Sequence, residues 1–226
     1  MSQSVTEFVY LRLKSSVRPE DPSNAAGKEF LSILEQTKAQ SGYNGSAWGR
    51  THEDENSVIW MIDWADARGS CPASLLSPLL EAESAAISIY TSLHPPVSKT
   101  DLLTWNPVTE VCALAFPSSL SADERHTLMG HLAEFRGAVV QGLEACKAPV
   151  SWSMGQVERP GRMKHAESAS GEAEFFLLVV GWKSVEAHME AKETSRFLEA
   201  IAPIREMMLP PLPELGMKHV RFQKVD

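Results

Sequence analysis

His188 is the residue best placed by type and context to do chemistry. It sits in Lys183-Ser-Val-Glu-Ala-His188-Met, a helix-forming stretch that follows an apolar run ending at Trp182. A neutral imidazole with a pKa near 6.5 is the usual proton carrier at neutral pH. Pointed into the barrel, His188 could move a proton on an enolisable substrate; at the solvent edge of its helix it would be inert. Arg50 and His52 follow Gly49 on a short predicted strand, where Arg50 could hold a carboxylate or phenolate. The neighbouring Glu53, Asp54 and Glu55 also fit a solvated turn. Trp48, Trp60 and Trp152 fall on predicted strands, where indole N–H groups could orient an aromatic substrate, while Trp64 and Trp182 read as core. His126 and His131 are five residues apart on one predicted helix and so point in different directions. No H-x-x-x-H or Cys/His cluster supports a metal, and no phosphate-cradling glycine loop or dinucleotide fingerprint occurs.

The elements that must position these residues come in two rounds. Phe175–Val180, Trp182 and Ser195-x-Phe197-Leu198-Glu199-Ala200 repeat Val58–Ile62, Trp64 and Ser77-x-Leu79-Leu80-Glu81-Ala82 at one offset of 118. Val5–Leu13 and Val108–Phe116 repeat at an offset of 103, each opening Val-Thr-Glu. A shared period means a duplicated module. Each copy reads strand, helix, strand, strand, helix, strand. The first copy places its helices at Ala25–Gln40 and Leu75–Ser92 and its last strand at Thr100–Trp105. The second begins a helix at a capping box, Ser121 to Glu124, that reaches about Cys146, and continues with a helix over Val185–Met208 and a strand over Met217–Phe222. The fold class expected is α+β: two fused ferredoxin-like βαββαβ repeats, residues 1–106 and 107–226, whose sheets pack face to face as an α+β barrel. Residues 159–171 are an insertion in the second copy, read as a mobile hairpin loop or a lid.

The first strands differ on one face. Phe8, Tyr10 and Arg12 in the first copy stand where the second has Val111, Ala113 and Ala115. If that face looks inward, Ala113 and Ala115 leave room for a ligand in the second half, whereas the larger first-copy residues plug theirs; or they let a bulky neighbour pack over them.

A formal net charge of −8 with no basic stripe argues against a nucleic-acid partner. No apolar run is long enough to span a membrane, and MSQSVTEF lacks the pattern of a signal peptide, so a cytoplasmic location is expected. Three scattered cysteines fit a reducing compartment and buried thiols.

The pattern Gly181-Trp182-Lys183-Ser184-Val185-Glu186-Ala187-His188-Met189, with Ser195 and Phe197 beyond it, resembles the antibiotic-biosynthesis-monooxygenase-like group of α+β barrel proteins, and Asp63, Trp64, Ser77 and Leu79 echo it. The resemblance covers nearly the whole chain as two consecutive copies, an arrangement familiar among fungal proteins. It implies a cofactor-independent enzyme of secondary metabolism, acting on a hydrophobic or aromatic, polyketide-like molecule by acid/base-assisted cyclisation or isomerisation. His188, Tyr10 and Arg50 would be catalytic, with Trp48, Trp60, Trp152, Ala113, Ala115 and His52 lining the substrate. The same resemblance allows a cofactor-free quinol or phenol monooxygenase, or a non-catalytic stress-response barrel, and a homodimer. A haem-degrading member would want an axial histidine in the pocket, a place His188 could fill, with no accompanying motif.

Overall fold

Period-two alternation sets the framework. In β1 (Val5–Arg12) Phe8 and Tyr10 face one way and Val5, Val9 and Leu11 the other; in β5 (Val108–Pro117) Val111, Ala113 and Ala115 oppose Val108, Leu114 and Phe116. The computed structural model describes residues 4–66, 68–99 and 106–225. The other strands are β2 (Tyr43–Arg50), β3 (Ser57–Trp64), β4 (Ile87–Thr91), β6 (Ser151–Arg159), β7 (Met163–Lys164), β8 (Glu172–Trp182), β9 (Lys218–Val220) and β10 (Gln223–Lys224). All pairings are antiparallel, in the order β10-β2-β3-β1-β4-β6-β8-β5-β9, with β7 beside β8. The two ends of this path belong to one segment, and Thr51 also bridges Val220, so the sheet curls back on itself.

The curl has two seams, where β4 meets β6 and where β10 meets β2. A glycine sits at each. A Cβ on Gly49 would come 2.4 Å from the Arg221 carbonyl, and one on Gly155 would come 2.5 Å from that of Ser92. Only a residue without a side chain lets the two backbones cross so closely.

Helices α1 (Ala25–Thr37) and α2 (Ala73–Leu76) cover the outer face of β1–β4. Helices α3 (Ala122–Gly142), α4 (Val185–Lys192) and α5 (Ser195–Met207) cover that of β5–β8. The inner faces meet in one apolar cluster holding Phe8, Tyr10, Val111, Ala113 and Ala115, so the predicted inward face is the real one; Arg12, at the strand's end, is exposed. The room beside Ala113 and Ala115 is taken by the proline-rich segment 209–216. Leu209 N–H bonds the Ala115 carbonyl at 2.9 Å, Ala113 N–H bonds that of Leu215 at 3.1 Å, and Leu215 is buried in the cluster.

Several expectations need correction. Leu75–Ser92 is not a helix: α2 passes into a 3-10 turn at Ser77–Leu79, and residues 87–91 are β4, whose Ile87 and Ile89 alternate with Ser88 and Tyr90. The strand expected at Thr100–Trp105 lies outside the described residues. Val185–Met208 is two helices, because Thr194 caps a new one by accepting from Phe197 N–H. The capping box of α3 forms as read, but the helix ends at Gly142. The insertion 159–171 is a docked hairpin: β7 pairs with β8, and His165 Nε2 lies 2.8 Å from the Pro210 carbonyl. Of the three thiols, Cys71 is buried, Cys112 half-buried and Cys146 exposed.

Candidate functional site

Glu110 stands on the helix-facing side of β5, in a row otherwise apolar, and is buried. Trp182 ends β8 opposite Val108, two residues along the neighbouring strand from Glu110, and its indole Nε1–H donates to Glu110 Oε2 at 3.0 Å. Ser184 then caps α4 by accepting from Ala187 N–H, which starts the helix at an angle that brings His188 back over Trp182. The two rings stack at 4.5 Å and 13°. His188 is 1% exposed, and its Nε2 lies 3.4 Å from Glu110 Oε2.

From His188 the contacts lead outward. Its Nδ1 is 2.7 Å from His219 Nε2 on β9. His219 Nδ1 is 2.6 Å from Glu53 Oε1, and His219 N–H also reaches that carboxylate at 3.1 Å. Glu53 sits in the β2–β3 turn with a third of its side chain open to solvent.

A cavity of about 160 Å³ lies between the sheet and α3, α4 and α5, bordered by Glu110, Cys112, Trp152, Trp182, His188 and Lys192. Burial drives the Glu110 carboxyl up to about 7, against the opposing pull of the Trp182 N–H and of Lys192. Burial, then the neighbouring His219 and Lys192, lowers His188 to about 3, so its imidazole is neutral. Burial works to raise Glu53, but the hydrogen bonds from His219 outweigh it and hold the carboxylate below its usual range. The site therefore holds a neutral base and a carboxyl group that changes charge near neutral pH.

The corresponding place in the first half is sealed. Glu7 accepts from Trp64 Nε1–H at 2.9 Å, Tyr90 O–H at 2.7 Å and Cys71 N–H at 3.0 Å. Gly69 lies against the Trp64 ring, where His188 covers Trp182.

Of the residues singled out in the sequence, His188, Trp152 and Trp182 line the 160 Å³ cavity, with Trp152 edge-on to Phe135. That cavity lies between the sheet and its helices and not inside the barrel as expected for His188. The rest lie elsewhere. Arg50 is a structural clamp, bonded to Glu20 at 2.6 Å and to the carbonyls of Val17 and Glu55. Trp48 packs on Phe30 in the first helix-covered core, and Trp60 is buried in the same cluster. Tyr10, Ala113 and Ala115 belong to the inner cluster, on the far side of the sheet. Tyr10 borders a second, larger cavity of about 350 Å³ with Thr51, Asp54 and Lys218, which His188 does not touch. His52 is exposed and donates its backbone N–H to the His219 carbonyl. The sequence reading passed over Glu110, His219, Glu53 and Lys192. Glu53 was grouped with a solvated turn. The one signal for Glu110 was the repeated Val-Thr-Glu, a charged residue conspicuous in two otherwise apolar strands.

Haem does not fit this arrangement. Both ring nitrogens of His188 are engaged, and the cavity is below the roughly 300 Å³ at which sites for larger organic ligands begin. Among the described residues no group of three or more His, Cys, Asp or Glu is placed to hold a metal ion, and no helix is long and apolar enough to cross a membrane.

No protein-family model and no curated protein sequence matches the chain. Solved structures do. A candidate chlorite dismutase aligns with TM-score 0.59 and 15% identity over 100% of this chain and 96% of its own. An anthrone oxidase-like protein aligns with TM-score 0.58 and 10% identity over 100% and 94%. A candidate monooxygenase from Fusobacterium nucleatum aligns with TM-score 0.53 and 9% identity over 100% and 94%. At these identities the likeness is one of fold, and it shows the chain to have the α+β barrel fold of those proteins.

Proposed function

We propose that the chain is a cofactor-independent enzyme that moves a proton on a small phenol-type or enolisable ring compound, in the cavity between the second-half sheet and its helices. The observation that carries this is the buried Glu110–His188 pair at the cavity wall, a carboxyl group of pKa about 7 against a neutral imidazole. A general base works best when its pKa lies near the working pH. Ionised Glu110 takes a proton from the substrate's hydroxyl or activated carbon and returns it at another position, so the product is an isomer or a closed ring with no atom lost. A cavity near 150 Å³ lined by apolar groups holds one benzene ring, which narrows the expected polyketide-like substrate to a single ring or a single-ring head. Lys192 and Arg205 also border the cavity and suit an anionic substituent. Glu110 joins His188 as the acid/base group, and Tyr10 and Arg50, away from this cavity, have no part in it.

The descriptions of two structural neighbours, a candidate monooxygenase and an anthrone oxidase-like protein, favour a second reading with the same first step. The deprotonated ring would react with dioxygen, one oxygen atom becoming a ring carbonyl and the other leaving as water with the two displaced hydrogens.

We also read the architecture as two fused copies, 1–106 and 107–226. The strand orders β2-β3-β1-β4 and β6-β8-β5-β9 match, and the Glu7–Trp64 pair matches Glu110–Trp182.

The test is hydrogen–deuterium exchange by NMR on phenol, hydroquinone, resorcinol and 4-hydroxyphenylacetate, with oxygen uptake recorded in parallel. Catalysed exchange or oxygen uptake that Glu110→Gln abolishes supports the proposal. Neither activity on any single-ring compound, together with no quenching of tryptophan fluorescence by them, overturns it.

A further inference from the structure

The contacts around His188 have a direction. An ionised carboxylate only accepts, so His219 must carry its proton on Nδ1, facing Glu53, and leave Nε2 as a lone pair. His188 Nδ1, 2.7 Å away, is then the donor, and His188 Nε2 is left unprotonated toward Glu110. Each ring accepts on one side and donates on the other. The series starts at a buried carboxyl group and ends at one that is a third exposed.

We propose that His188, His219 and Glu53 form a proton relay between Glu110 in the cavity and bulk solvent. It rests on the reading of Glu110 as the cavity's acid/base group. In the outward direction the Glu110 O–H bond breaks as His188 Nε2–H forms, and His188 Nδ1–H breaks as His219 Nε2–H forms. His219 is then an imidazolium between His188 and the Glu53 carboxylate, and its Nδ1 proton passes to Glu53 and to water. One proton enters and one leaves, and no electrons move. The reverse sequence restores the starting tautomers when a proton returns to the substrate.

The surroundings suit the task. His219 is 2% exposed and fixed by three further backbone contacts, its own N–H to both oxygens of Glu53 and its carbonyl to His52 N–H. Other ionisable groups near the relay are Lys192 on α4, Arg205 on α5 and Cys112 on β5, which share the cavity with Glu110, and Glu186 and His52 near His219. None of them is inserted between its members.

Imidazole nitrogen NMR on the full ¹⁵N-labelled chain tests this without any substrate. The relay requires both rings to carry their proton on Nδ1 at about pH 6, the minority tautomer of a free histidine; His188 protonated on Nε2 overturns it. Glu53→Ala removes the acceptor, so His219 turns to its Nε2–H form, His188 must accept at Nδ1, and its Nε2–H then faces Glu110. A hydrogen bond donated to the charged form lowers an acid's pKa, so the ¹³C-carboxyl titration of Glu110 falls by about one pH unit. An unchanged midpoint with unchanged rings overturns the relay. If Glu53→Ala fails to fold, Glu53→Gln keeps an oxygen that accepts from His219 Nδ1–H, so both rings keep the Nδ1–H tautomer of the parent. A Glu53→Gln protein in which His188 carries its proton on Nε2 also overturns the proposal. None of these readings uses turnover, so they stand apart from a failure to find a substrate.

Discussion

Trp182 donates its indole N–H to Glu110 across two neighbouring strands at 3.0 Å, and Trp64 does the same to Glu7 at 2.9 Å. The two pairs share a geometry and differ in everything around it. Glu7 also accepts from Cys71 and Tyr90, whereas Glu110 has His188 at 3.4 Å and a cavity beside it. One carboxylate is closed in by three donors; the other borders a cavity.

Trp64→Phe is therefore expected to cost stability, because a hydrogen bond to a buried charged group is worth about 1.5–3 kcal/mol. Trp182→Phe removes a contact that favours the ionised form of Glu110, so its titration moves upward. Denaturant unfolding measures the first, and a ¹³C-carboxyl titration the second.

Glu110 should tie stability to pH with a definite sign. Its carboxyl group stands at about 7 in the folded chain against an ordinary 4.5. Between those values the folded state holds a proton that the unfolded state has released, so stability falls as pH rises through the window. The full loss is about 3 kcal/mol, from 1.36 kcal/mol per pKa unit. His188 acts in the opposite sense: lowered to about 3 from 6.5, it contributes stability that is present above 6.5 and lost as pH falls toward 3. The two overlap in wild type, so the clean measurement is a difference. The stability of Glu110→Gln relative to wild type should rise by about 3 kcal/mol between pH 4.5 and 8, read from urea titrations at each pH.

His188→Gln should reduce turnover by about 10²–10⁴-fold, the usual worth of a positioned acid/base group. Thermal melting checks that the variant is folded. A folded His188→Gln chain with unchanged kcat/KM would remove His188 from the chemistry.

Leu215→Ala should cost about 2–5 kcal/mol, since Leu215 is 1% exposed and fills the room beside Ala113. Ala115→Leu should cost about 1–3 kcal/mol by overpacking the same place. Calorimetry on the pair shows whether the inner cluster is as full as its burial indicates.

What could be read in the chain was what short-range pattern controls. The inward face of β1 and β5, the capping box at Ser121 and the Trp182 strand all follow from alternation or from a local hydrogen bond. The stretch at 75–92 misled because Leu79–Ala86 is rich in helix formers, and the alternation of Ile87, Ser88, Ile89 and Tyr90 that governs it is only a few residues long. Ala113 and Ala115 lie on the inner face as read, and of the two readings, room for a ligand or a neighbour packed over them, the second fits; nothing local says that the neighbour is the leucines of the proline-rich segment 209–216. Glu53 looked like a turn residue, and it is one. Its partner His219 is 166 positions away, beyond the reach of any local pattern.

That separation bears on how the molecule is made. The acid/base group, its histidines and the outlet to solvent come from segments that meet only when the last strands have sewn the sheet shut at Thr51 and Val220. Contacts so distant in sequence form late, after their loop-closure entropy has been met. A chain caught half-assembled would carry a tryptophan–carboxylate pair but no exit for its proton. Chemical competence would thus serve as a certificate of complete assembly, returning in refolding only with the slowest structural phase.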